Sequence, residues 1–80
     1  MPAEWRFFVE KIIIKDEFIK LGQALKLAGL VDSGVEAKIV IQEGLVQVNG
    51  MTEVQRGKKL YQNDVVSYQQ QSFVIASMAE

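Results

Sequence analysis

The chain has 80 residues, 49% of them hydrophobic and 24% charged, a balance that belongs to one small globular unit rather than to a disordered or membrane-embedded chain. It has no cysteine and no histidine, which removes disulfides, thiolate metal sites, imidazole ligands and histidine acid/base chemistry together. The formal charge of -1 speaks against a nucleic-acid ligand only on average, because the basic residues are concentrated. Residues 18 to 60 hold six of them (Lys20, Lys26, Lys38, Arg56, Lys58, Lys59) against four acidic ones, an excess of +2.

Taken in order, the first three residues are expected to fray. Trp5, Phe7 and Val9 alternate with Arg6, Phe8 and Glu10 before Ile12, Ile13 and Ile14, so this segment reads as extended structure with a phase slip near Glu10 and Lys11. Aromatic side chains can stack on bases, but beside a run of isoleucines the core is the better reading. No apolar run is long enough to cross a bilayer, and a cytoplasmic protein is expected.

Asp16 is placed to cap a helix whose apolar face is Phe18, Leu21, Leu25 and Ala28, closing near Gly29. On such a helix Lys20 and Lys26 would lie about 240° apart and form no single stripe, whereas Gln23 and Lys26 share a face. A second helix starts at a capping box. The Ser33 oxygen should accept the amide of Glu36, and the Glu36 carboxylate should return to the amide of Ser33. Ala37, Val40 and Ile41 mark its buried face, Lys38 and Gln42 another, and Gly44 its end.

Val46 and Val48 flank Gln47 as a strand, and Asn49-Gly50 predicts a tight primed turn. The pattern then predicts a return strand over residues 52 to 54 and a glycine-containing basic loop over residues 55 to 59. Leu60 and Tyr61 should re-enter the core. Turns at residues 62 to 64 and 69 to 71 separate two last strands, residues 65 to 68 and 72 to 76. No repeat or linker interrupts the chain, which reads as a single domain over residues 1 to 80, with a motif core at 18 to 60 and an N-terminal extension over 1 to 11.

Catalytic readings fail one by one. Gly57-Lys58-Lys59 lacks the rest of a phosphate-binding loop, since Thr52 stands where glycine is needed and Lys59 where serine or threonine is. Ser33 has no histidine to activate it, and Asp16 and Glu17 flank a cap rather than converge. No spaced acidic loop suggests magnesium or calcium. An anion-binding surface remains. Gly34, first in its helix and without a side chain, leaves amides open to a phosphate that the helix dipole also favours. Lys38 lies one turn further along, and the cluster from Arg56 to Lys59 could converge there.

The ordered set of motifs resembles the S4-type RNA-binding domain, also called the alpha-L motif, and within it a compact stand-alone bacterial subfamily. The matching residues begin with Ile19-Lys20-Leu21-Gly22-Gln23-Ala24-Leu25-Lys26-Leu27-Ala28 and Ser33-Gly34 with Glu36-Ala37-Lys38. They continue through Gly44, Val46, Val48-Asn49-Gly50, Glu53, Arg56-Gly57-Lys58-Lys59-Leu60 and Asp64-Val65-Val66. The likeness covers about residues 12 to 76. It implies an α+β fold, with two packed helices against a small, mostly antiparallel sheet of four or five short strands. It also implies binding of structured RNA such as ribosomal RNA. With the catalytic readings gone, no enzyme activity, cofactor or small-molecule substrate is expected, and of the oligomeric states, which the sequence leaves open, a monomer is favoured.

In the wider family the second helix starts with serine and arginine, and the first with a basic residue, leucine and aspartate. Here Gly34 and Gly22 stand at the arginine and aspartate positions, so contact should lean on Lys38, the helix amides and the basic loop. The candidate RNA-binding residues are Lys20, Gln23, Lys26, Ser33, Gly34, Lys38, Gln42, Asn49, Arg56, Lys58 and Lys59. A protein-interaction module with an exposed strand edge is the alternative.

Overall fold

The computed structural model describes residues 9 to 78. The expectations for the first three residues and for the alternation at Trp5 and Phe7 fall outside them. Strand β1 (Val9–Ile14) is followed by the short β2 (Ile19–Lys20), helices α1 (Leu21–Leu27) and α2 (Gly34–Gln42), and the hairpin β3 (Val46–Val48) and β4 (Met51–Thr52). Strands β5 (Lys59–Leu60), β6 (Val65–Tyr68) and β7 (Gln71–Ser77) complete the order. Five strands form one sheet in the order β1-β7-β6-β3-β4, while β2 and β5 pair separately as a two-stranded ribbon. All pairings are antiparallel except that of β1 with β7.

Helices of seven and nine residues are too short to be stable alone in water, so packing holds them. Leu21, Ala24 and Leu25 of α1 and Ala37, Val40 and Ile41 of α2 are buried against one face of the sheet. That face is built by alternation: Val46, Val48, Val66, Tyr68, Phe73 and Ile75 point inward, while Gln47, Ser67 and Ser72 lie in register on the other side. At the sheet edge Ile14 is buried and Ile13 is exposed, as the same alternation requires.

Both helices end as the glycines predict. Gly29 and Gly44 take positive φ, and each is followed by a residue whose amide reaches back into the last turn, Leu30 N to Leu25 O at 3.1 Å and Leu45 N to Val40 O at 3.1 Å. This is the Schellman arrangement, which satisfies carbonyls that the helix leaves free. Asn49 and Gly50 both adopt positive φ, as the primed turn demands.

Four expectations are corrected. Asp16 caps nothing: α1 begins five residues later at Leu21, and Lys20, at its N-cap, is extended and makes no side-chain cap. The first two helical amides are taken instead by backbone carbonyls, Leu21 N donating to Lys58 O at 2.8 Å and Gly22 N to Arg56 O at 3.1 Å. The capping box is offset. Glu36 N donates to Ser33 Oγ at 3.1 Å, but the Glu36 carboxylate accepts the amide of Asp32, at 2.8 Å, rather than that of Ser33. The return strand is only Met51–Thr52, and Leu60 is buried as expected while Tyr61 is 48% exposed.

Candidate functional site

The unusual start of α1 creates the site. Because the loop carbonyls of Arg56 and Lys58 accept the amides of Gly22 and Leu21, residues 56 to 58 are held directly over the N-terminal turn of α1. Gly22 is buried, and a Cβ there would meet Arg56 Cγ at 2.7 Å. The arginine side chain therefore crosses α1 through a gap that only glycine leaves. The result is an open concavity of about 360 Å³ lined by Lys20, Gly22, Gln23, Lys26, Gly34, Arg56 and Gly57.

The lining carries three cationic side chains and no carboxylate. Gly34 brings in the start of α2, whose first amides have no acceptor within the helix and form the positive end of its dipole. Nothing lies within 4 Å of where a Gly34 Cβ would be, so the backbone there is open to a ligand. Cations, amides and the Gln23 amide group together suit an oxyanion such as a phosphate. Among the described residues no group of acidic side chains is gathered to hold a metal ion.

Five of the eleven candidate residues, Lys20, Gln23, Lys26, Gly34 and Arg56, meet in this concavity. Lys20 and Lys26 do so against the helical-wheel expectation, because Lys20 precedes α1 in β2 and the wheel does not apply to it. The other six lie apart. Ser33 is occupied as the cap of α2, and Lys38 is exposed on α2 outside the lining. Gln42 ends the same helix, about 12 Å from Gly34 at 1.5 Å per residue.

Asn49 is committed to the fold. Its Nδ2 donates to Asp64 Oδ1 at 3.1 Å and its Oδ1 accepts Val65 N at 2.9 Å, which ties the β3–β4 turn to β6. Lys58 contributes its carbonyl to α1, and the Lys59 ammonium stands over the Phe18 ring, 4.8 Å from its centroid. Sequence reasoning passed over Gly22 and Gly57 as lining residues. A glycine inside a helix costs stability relative to alanine and so often marks a close approach, which was the available signal.

A helix pair and a basic loop meeting on one side of a small mixed sheet define a compact α+β module with an open, cation-lined hollow. Comparison with known proteins makes the class specific: the S4 domain profile matches residues 12 to 76, and the chain belongs to the S4-domain family. It is 49% identical over 55 residues to a Bacillus subtilis protein named "Probable ribosome maturation protein RlbA", covering 69% of this chain and 78% of that one. It is also 39% identical over 54 residues to the Escherichia coli "Putative RNA-binding protein YbcJ", covering 68% of this chain and 77% of the relative. No helix among the described residues is long and apolar enough to cross a membrane.

Proposed function

We propose that this protein binds structured RNA without catalysis, seating the phosphate backbone in the concavity between α1, α2 and residues 56 and 57. The observation that carries the reading is the convergence of Lys20, Lys26 and Arg56 beside the open amides of α2, with no carboxylate in the lining. A chain with a net charge of -1 that gathers three cations into one hollow has a local field far more positive than its average. One relative is named for RNA binding and another for ribosome maturation, which together support RNA as the ligand and make ribosomal RNA the first candidate target. A-form RNA is read largely through shape, phosphates and 2′-hydroxyls, which suits a site rich in donors and poor in acceptors.

Crosslinking in cells followed by sequencing of the bound RNA tests the reading and identifies the target. Recovery of one RNA class, lost on mutation of Arg56, is the expected result; no RNA above background overturns it. In solution, about three to five phosphate contacts give a log-log salt slope of roughly -2 to -4.5. A slope near zero would remove the electrostatic mechanism.

One observation favours a second reading, a docking module for another protein. β1 is a six-residue strand at the edge of the sheet, and Ile13 on it is 62% exposed. Purified protein that carries no nucleic acid at low salt but retains a partner protein would favour this alternative.

A further inference from the structure

The two-stranded ribbon carries an outer face that the concavity shares only at Lys20. In it Ile19 lies opposite Leu60 and Lys20 opposite Lys59. Ile19 and Leu60 are buried, so alternation turns Lys20 and Lys59 to the outer face. The same alternation brings Phe18 and Tyr61 to that face, one strand position beyond the isoleucine and the leucine. Their rings lie 5.9 Å apart between centroids at an interplanar angle of 49°, and Lys59 Nζ sits over Phe18.

Two features of this face are unfavourable for the protein alone. Like charges directly opposite each other in an antiparallel pair repel, and a ribbon of two residues per strand has little pairing energy to offset that. Tyr61 leaves nearly half its surface in water although Phe18 is within reach. Both features suit a single-stranded nucleic acid, which is held by cations along its phosphates and by aromatic faces under its bases. A phosphate between Lys20 and Lys59 would turn their repulsion into shared attraction. Lys20 also lines the concavity, so the two surfaces meet at that residue.

We infer that the outer face of the β2–β5 ribbon holds an unpaired nucleotide of the RNA, with its base stacked on Tyr61 and its phosphate between Lys20 and Lys59. The inference rests on the RNA binding proposed above and adds to it a preference for RNA with an unpaired base beside a helix. Phe18 backs the tyrosine and holds the lysine, while Tyr61 N donates to Asp64 Oδ2 at 2.7 Å and fixes the backbone beneath the ring.

The test compares two labelled probes by fluorescence anisotropy, a blunt RNA duplex and the same duplex with a short single-stranded adenosine overhang. The wild-type protein should prefer the overhang probe by about fivefold or more. Tyr61→Ala should abolish that preference and leave blunt-duplex affinity within about twofold, while Tyr61→Phe should keep the preference. Tyr61→Leu retains an apolar contact with Phe18 but no aromatic face, and it gives the same readout if the alanine variant does not fold. Blunt-duplex binding with no overhang preference in the wild type, or a preference that survives in Tyr61→Leu, overturns the inference and leaves the concavity reading standing. Failure of the wild type to bind either probe overturns both.

Discussion

Gly22 and Arg56 occupy one another's space: a methyl group on residue 22 would lie 2.7 Å from Arg56 Cγ and 3.3 Å from Cδ, and the Gly22 amide donates to the Arg56 carbonyl at 3.1 Å. The backbone bond holds the loop in place, and the missing side chain sets the path of the guanidinium into the concavity. Gly22→Ala should therefore move Arg56 while keeping the fold. The clash is with a flexible, exposed side chain, and alanine recovers about 0.5–1 kcal/mol of helix propensity, so stability should stay within about 1 kcal/mol of wild type. RNA affinity should fall about three- to tenfold, the scale of one displaced charged contact. Urea denaturation alongside binding separates the two effects; unchanged affinity would show that Arg56 acts from elsewhere.

The cations of the concavity should act through charge. Lys26→Ala and Arg56→Ala should each weaken RNA binding and flatten the log-log salt slope by about 1. Lys11, exposed on β1 outside the lining, provides the control, and Lys11→Ala should leave the slope unchanged. Lys38→Ala decides whether the outer face of α2 takes part. A slope change equal to that of Lys26→Ala would enlarge the interface beyond the concavity.

Asn49 should prove structural in its effect. Its amide is bonded at both ends, to Asp64 and to Val65 N, and its φ of 53° is one that asparagine tolerates better than most residues. Asn49→Ala should cost about 1–3 kcal/mol, since it strands the Val65 amide and strains the turn. Thermal or urea unfolding measures the loss. RNA affinity below the transition should be unchanged, and a selective loss of binding with full stability would assign Asn49 to the interface.

The β6–β7 turn is where stability can be gained. Gln69 and Gln70 adopt φ of 54° and 66°, a primed turn built from two residues that do not favour it. The double substitution Gln69→Asn with Gln70→Gly copies the Asn49-Gly50 turn of the same protein; relief of the left-handed strain, less the entropic cost of the new glycine, should stabilise by about 0.5–1 kcal/mol. A shift of the urea midpoint to higher concentration with unchanged slope is the expected readout. No shift would mean that contacts made by the glutamine side chains offset the strain.

The α2 cap at Ser33, the helix stops at Gly29 and Gly44, the hairpin at Asn49-Gly50 and the family were all legible in the sequence. Each rests on local backbone chemistry or on motif order, in which neighbouring residues carry the whole signal. The start of α1 was not legible there, because its first amides are satisfied by carbonyls of Arg56 and Lys58 more than thirty residues away and not by Asp16. The tertiary structure likewise decided which charges meet. Lys20 joins Lys26 because β2 pairs with β5 and turns it off the helix, and Lys59 leaves the basic loop to stand over Phe18. Helical spacing places residues along one element, whereas a binding surface is set by which elements the core brings together, and no local pattern encodes that.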